Sequence, residues 1–214
     1  MPAILCYGDS NTHGADPFTG ARYPRDVRWP GVVARELAGV ADVIEEGLNG
    51  RTTSWDDPHV DGRNGRTYLL PCLRSHQPLD IVVIMLGTND LKTVFHVAAP
   101  EIASSAQALV DVALASGAGP AGGRPQVLLI APPALGEESG RSALWGFADR
   151  QAIARELPRM YRQAAEERAV AFLDASVLVA GDPADGVHLN AEGHETLGRA
   201  VAKALRAMLA ATPA

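Results

Sequence analysis

Two cysteines, Cys6 and Cys72, are all that 214 residues contain. That excludes a disulfide-stapled scaffold. Their places in a predicted strand and a predicted helix suit two buried, reduced thiols. Long apolar runs are missing as well, and none reaches the roughly 20 residues a membrane-spanning helix needs. No basic-then-apolar leader precedes the first strand, so the chain is expected to be cytoplasmic. Basic excess is also lacking. Nineteen Lys and Arg against 25 Asp and Glu give a formal charge of −6, which disfavours nucleic acid and anionic membranes as partners, since both attract a basic face. There is no Gly-x-Ser-x-Gly elbow and no lysine after the glycine-bounded segment 8–14, as a P-loop would require. Asp56-Asp57-Pro58-His59-Val60-Asp61 places carboxylates around an imidazole. It reads as a solvated or helix-capping loop, with no cysteine–histidine spacing or helix-borne histidine pair to suggest a metal. Neither metal nor cofactor is expected.

What is present is a regular alternation. Apolar residues make up 47% of the chain, enough for one core-bearing domain over 1–214. Five short apolar runs rich in β-branched residues lie at 3–7, 42–46, 80–86, 126–131 and 170–174. The third, Ile81-Val82-Val83-Ile84-Met85-Leu86, shows no polar alternation, so both its faces need cover and it should be central. Helical stretches separate the runs. Residues 30–37 begin on Pro30, and 67–75 contain a weakening Pro71. Residues 100–115 open with Pro100 and Glu101. Residues 149–168 should be kinked or split by Pro158, and 191–209 follow Asn190 as N-cap. The expected fold is a three-layer α/β/α sandwich with a flavodoxin-like parallel five-stranded sheet in the order 2-1-3-4-5. Residues 116–125 read as a flexible surface loop. Residues 132–147 are too long for a plain connector and read as a cover or contact surface.

Polar residues follow the strands. Gly8-Asp9-Ser10-Asn11-Thr12 follows the first, Gly47 to Thr52 the second and Gly87-Thr88-Asn89-Asp90 the third. Asp185-Gly186-Val187-His188 comes after the fifth. In a parallel sheet these carboxyl ends share one edge, so the segments converge on one crevice. A serine hydroxyl needs an imidazole to take its proton and a carboxylate to orient that imidazole. Ser10, His188 and Asp185 supply the three groups. The oxyanion of an acyl intermediate needs donors, and the candidates are the N–H groups of Ser10 and Gly50 and the Asn89 amide.

With GDSNTHG at 8–14, GLNGRTT at 47–53, GTND at 87–90 and DGVHL at 185–189, the chain resembles the SGNH (GDSL) hydrolases, and the resemblance spans nearly its whole length. It implies the SGNH hydrolase fold, Ser10 as nucleophile, Asp185 and His188 as its partners, and Ser10, Gly50 and Asn89 as the oxyanion hole. The runs VIEEGLNGRTTSWDDP (43–58) and PLDIVVIMLGTNDLKTVF (78–95) resemble the small arylesterase and acyltransferase branch. That implies short acyl esters as substrates, a homo-oligomer that narrows access to the site, and acyl transfer to alcohols or peroxide as a side activity. Two positions depart from the pattern. Asn11 stands where many members have leucine, a position that is not catalytic. His13 stands where some relatives have tryptophan, and the more polar mouth favours hydrolysis over transfer.

The expected function is therefore a serine esterase acting on small-molecule short-chain esters through an acyl-Ser10 intermediate. Carbohydrate O-deacetylation or thioester cleavage on the same triad is the nearer alternative. A non-catalytic binding protein on a flavodoxin-like fold is the distant one. Asp9 and Asp90 read as structural, Thr88 as a minor influence on the site, and His194 as a solvated helix histidine. Substrate-binding candidates are His13, Asn49, Trp55, Phe95 and Trp145. Phe147 joins three of these aromatics in the rim loops, although core packing is the default for such residues.

Overall fold

An unbroken apolar strand can persist only between two covering layers, and the computed structural model, described over residues 1–211, provides both. In chain order the elements are β1 (Ala3–Gly8), α1 (Ser10–His13), α2 (Trp29–Glu36), β2 (Asp42–Gly47), α3 (Gly65–His76), β3 (Ile81–Met85), α4 (Ala99–Ala115), β4 (Gln126–Ala131), α5 (Gly140–Leu144), α6 (Gln151–Glu167), β5 (Ala171–Asp174) and α7 (Ala191–Ala210). The strands form one parallel sheet in the order β2-β1-β3-β4-β5. β3 is central and fully buried. Its Val82 and Ile84 pack with Leu5 and Tyr7 of β1 against α3, α4 and α6. Its Ile81, Val83 and Met85 pack with Ile4 and Cys6 against α2 and α7. Each fully buried branched side chain of this kind contributes about 1.5–3 kcal/mol. Cys6 and Cys72 are buried free thiols, one on each side of the sheet.

Local signals set the helix ends. Asn64 caps α3, its side chain accepting from the N–H groups of Arg66 and Thr67. Asn190 caps α7 by accepting from Gly193 N–H at 2.9 Å. Glu101 in the first turn of α4 accepts from Ala98 N–H at 2.7 Å. Of the kink or split expected at Pro158, the split does not occur, and α6 is one helix with the proline inside it. One missing intrahelical hydrogen bond is outweighed by burial of Leu157, Tyr161 and Ala165 on either side of the proline. The helix around Pro71 persists for a similar reason, with Leu69, Cys72 and Leu73 buried. Residues 116–125 are not wholly a surface loop. Ala118 is fully buried and its carbonyl accepts from Leu79 N–H at 2.8 Å. No helix among the described residues is long and apolar enough to cross a membrane.

Candidate active site

The carboxyl edge of the sheet carries the polar segments. β1 is followed by Asp9, whose side chain caps α1 by accepting from Asn11 N–H at 2.9 Å. That cap places Ser10 at the first position of a very short helix, with its side chain turned to the edge. Its hydroxyl lies 2.9 Å from Nε2 of His188. The Nδ1 of the same ring lies 2.7 Å from Oδ2 of Asp185. The other Asp185 oxygen accepts from the N–H groups of Val187 at 2.9 Å and His188 at 2.8 Å. Burial pushes the Asp185 carboxyl up. The His188 ring and the two backbone N–H groups reverse this and hold it below the usual carboxylate range. An ionised Asp185 keeps the proton on Nδ1, leaving Nε2 to accept from the Ser10 hydroxyl.

The oxyanion candidates meet at the same place. Asn89 donates one amide hydrogen to the Arg51 carbonyl at 3.1 Å, which fixes the amide plane and leaves the other hydrogen available. The N–H groups of Ser10 and Gly50 have no backbone acceptor among the described residues. Gly50 has φ +76°, a conformation that favours glycine. Gly47 is needed for a different reason. A Cβ there would come within 2.1 Å of the His13 backbone nitrogen, so only glycine lets the end of β2 approach the nucleophile turn.

A cavity of about 270 Å³ opens over Ser10, His188 and Asp185, and Asn49, Gly50, Asn89 and Trp145 also line it. Trp145 packs edge-on against the His188 ring with centroids 5.5 Å apart. Phe147 lines the cavity too and is buried. Both belong to the 132–147 segment, which is tied to the triad loop by Ser139 Oγ–H donating to the Asp185 carbonyl at 2.9 Å and Gly136 N–H donating to the Gly186 carbonyl at 2.9 Å. His13, Trp55 and Phe95 are not part of the lining. α1 leads away from the site, so His13 packs toward Gly47. Trp55 sits in a loop that folds down onto Thr52 and Asn64. Phe95 ends a short turn (Thr93–Phe95) beyond the cavity, while Lys92 just before that turn lines it.

Several participants had no clear signal in the sequence. Asn11 brackets His188. Its amide donates to the Val187 carbonyl at 3.2 Å, and its carbonyl accepts from Leu189 N–H at 3.0 Å. The nucleophile turn and the histidine loop are thus joined on both sides of the imidazole. Arg51 is buried and donates to the carbonyls of Gly8 and Glu46, binding the ends of β1 and β2 together, with its guanidinium 4.1 Å from the Tyr7 ring centroid. Asp90 accepts from the N–H and hydroxyl of Thr53. Burial raises the carboxyls of Asp9 and Asp90 to about 6. Potential metal ligands gather away from the triad. Glu46, Cys72 and His76 have ligand atoms within 4.8 Å of one another, with Cys72 and His76 one turn apart on α3. This Cys-x₃-His spacing on α3 corrects the expectation that the chain has none, and here Glu46 and His76 already hydrogen-bond at 3.0 Å.

His194 corrects another expectation. It is fully buried, because Trp29 N–H donates to its Nδ1 at 3.3 Å and Tyr23 packs edge-on against it. Burial, with smaller contributions from His188 and Arg28, lowers its pKa to about 4. The unfolded chain binds this proton near pH 6.5 and the folded chain only near 4. Stability is therefore full above 6.5 and is lost as pH falls from 6.5 to 4, by about 3 kcal/mol. In denaturant unfolding, the stability of the wild type relative to His194→Gln should fall by about 3 kcal/mol across that window. The opposing titrations of Asp9 and Asp90 are common to both proteins and cancel in the difference.

Comparison with known proteins bears on the same residues. A search among curated proteins gave no match. Among solved structures, Est24, a carbohydrate acetylesterase from Sinorhizobium meliloti, is 40% identical over 97% of this chain and 100% of its own, with TM-score 0.92. The M. smegmatis aryl esterase is 39% identical over 97% and 100%, with TM-score 0.91. A carbohydrate acetylesterase family member from Sinorhizobium meliloti is 37% identical over 98% and 100%, with TM-score 0.91. The model of the GDSL-like lipase/acylhydrolase family matches residues 6–196, a span that includes Ser10, Gly50, Asn89, Asp185 and His188. With that span and these likenesses, the chain belongs to the GDSL-like lipase/acylhydrolase family and is a serine ester hydrolase.

Proposed function

We propose that the chain hydrolyses short-chain carboxylic esters through an acyl-Ser10 intermediate. The observation that carries this reading is the unbroken hydrogen-bonded line Ser10 Oγ–His188–Asp185, with steps of 2.9 and 2.7 Å. Ser10 Oγ attacks the ester carbonyl as His188 Nε2 takes its proton. The carbonyl oxygen gains the negative charge and lies toward the Ser10 and Gly50 N–H groups and the Asn89 amide. Collapse breaks the bond to the alkoxy oxygen, and His188 returns the proton to that leaving alcohol. Water then attacks the acyl-enzyme with His188 as base, releasing the carboxylic acid and restoring the Ser10 hydroxyl. Asp185 stays ionised throughout and stabilises the imidazolium.

The cavity supports a short acyl group, since about 270 Å³ shared by acyl and alcohol halves is small for a ligand site. Hydrolysis of p-nitrophenyl esters should give the highest kcat/KM for acetate to butyrate and fall at least about tenfold by octanoate, as methylenes outgrow the pocket. A maximum at octanoate or longer contradicts the reading. Deacetylation of sugars is the second reading, favoured by likeness to proteins named carbohydrate acetylesterases. It uses the same acetyl-Ser10 and differs in the leaving alcohol. Acetylated sugars run beside aryl acetates, with competing acceptor alcohols, separate hydrolysis, deacetylation and acyl transfer.

A further inference from the structure

Ester hydrolysis on Ser10 does not by itself call for cationic walls, yet two cations line this cavity, Lys92 and Arg141. Apart from Asp185, whose charge serves His188, the one acidic lining residue is Asp16. Its oxygens already accept from Phe18 N–H at 2.9 Å, the Thr19 hydroxyl at 2.7 Å and the Tyr23 hydroxyl at 3.2 Å. Arg141 donates from one Nη to the Pro17 carbonyl at 2.6 Å. Lys92 is half-buried, and its ammonium has neither hydrogen bond nor ion pair among the described residues. Its Nζ stands 5.9 Å from the Phe147 ring centroid. Burial pulls the ammonium below its ordinary value. Asp57 first, then Asp9 and Asp90, oppose this from beyond ion-pair distance, and Arg63 works against them. A partly desolvated cation without a direct counter-ion is costly, and it is relieved when a ligand supplies the anion.

We propose that Lys92, with Arg141 in the same lining, forms an anion subsite, and that the preferred substrates are short esters bearing a carboxylate near the scissile carbonyl. This rests on the reading of Ser10 as nucleophile and names the substrate class for that site. The carboxylate can lie on the acyl half, as in a hemiester of a short dicarboxylic acid. It can equally lie on the alcohol half, as in an acetylated hydroxybenzoate. Both present the same ion to Lys92.

Two matched pairs test it: monomethyl succinate against methyl levulinate, and para-acetoxybenzoate against para-acetoxybenzamide. In the wild type the anionic member of at least one pair should have about tenfold higher kcat/KM, the scale of one charge-assisted contact. Which pair shows the preference tells which half carries the ion. In Lys92→Met that ratio should collapse about tenfold. A salt series on the wild type needs no variant, and kcat/KM for the anionic ester should fall with added salt while that for the neutral ester does not. Wild-type ratios near one in both pairs, or a preference that survives Lys92→Met, overturn the proposal. Hydrolysis of the neutral esters by the wild type, lost in Ser10→Ala, reads the esterase assignment separately.

Discussion

Ser10→Ala lowers kcat for an aryl acetate by about 10⁴- to 10⁶-fold and leaves the thermal midpoint nearly unchanged. The size follows from the chemistry. Without the hydroxyl no acyl-enzyme can form, and what remains is stabilisation of direct water attack by the donors of Ser10, Gly50 and Asn89. The small structural cost follows from the geometry, since the Ser10 hydroxyl has His188 as its side-chain partner. The backbone of the turn is held instead by the Asp9 cap and by Asn11. Steady-state rates beside a melting curve check both halves. A variant that keeps more than about a hundredth of wild-type turnover removes Ser10 from the reaction.

Asp185→Asn should cost nearly as much, about 10⁴-fold in kcat. The amide can keep its oxygen where Oδ1 accepts from Val187 and His188 N–H, so the turn survives. Its NH₂ then replaces Oδ2 and faces Nδ1 of His188. A donor there demands an acceptor, so the ring takes the tautomer with its proton on Nε2 and can no longer accept from Ser10. The loss should appear in kcat/KM as well as kcat, because the defect is in the attack step. A loss of less than tenfold would mean that Asp185 does not set the tautomer.

Much of this was legible because the fold obeys local rules. Short apolar runs mark the strands, the first three leading into glycine, and a parallel sheet brings their carboxyl ends to one edge. The convergence of Ser10, Asn89 and His188 could therefore be read before any distance was known. What could not be read depends on partners far along the chain. Asn11 joins Val187 across 176 positions, and nothing local to Asn11 announces that contact. His194 looks solvated on a helix until Trp29 and Tyr23 close over it. Pro158 should break a helix by its own chemistry, and the burial of its neighbours overrides it. Among the rim aromatics, Trp145 and Phe147 reach the cavity while Trp55 and Phe95 do not. Composition cannot make that division, because loop direction decides it. Lys92 stood in plain view beside the third motif, and only its lack of an ion partner gives it meaning.

The central claim is that the oxygen of Ser10 becomes covalently bonded during turnover because His188 removes its proton. Stoichiometric treatment with a fluorophosphonate, followed by peptide mass mapping, tests it most directly. The account predicts one label per chain, on Ser10, appearing in step with loss of esterase activity and absent in His188→Ala. Complete inactivation with the label on another residue, or full esterase activity in a chain labelled at Ser10, would contradict it.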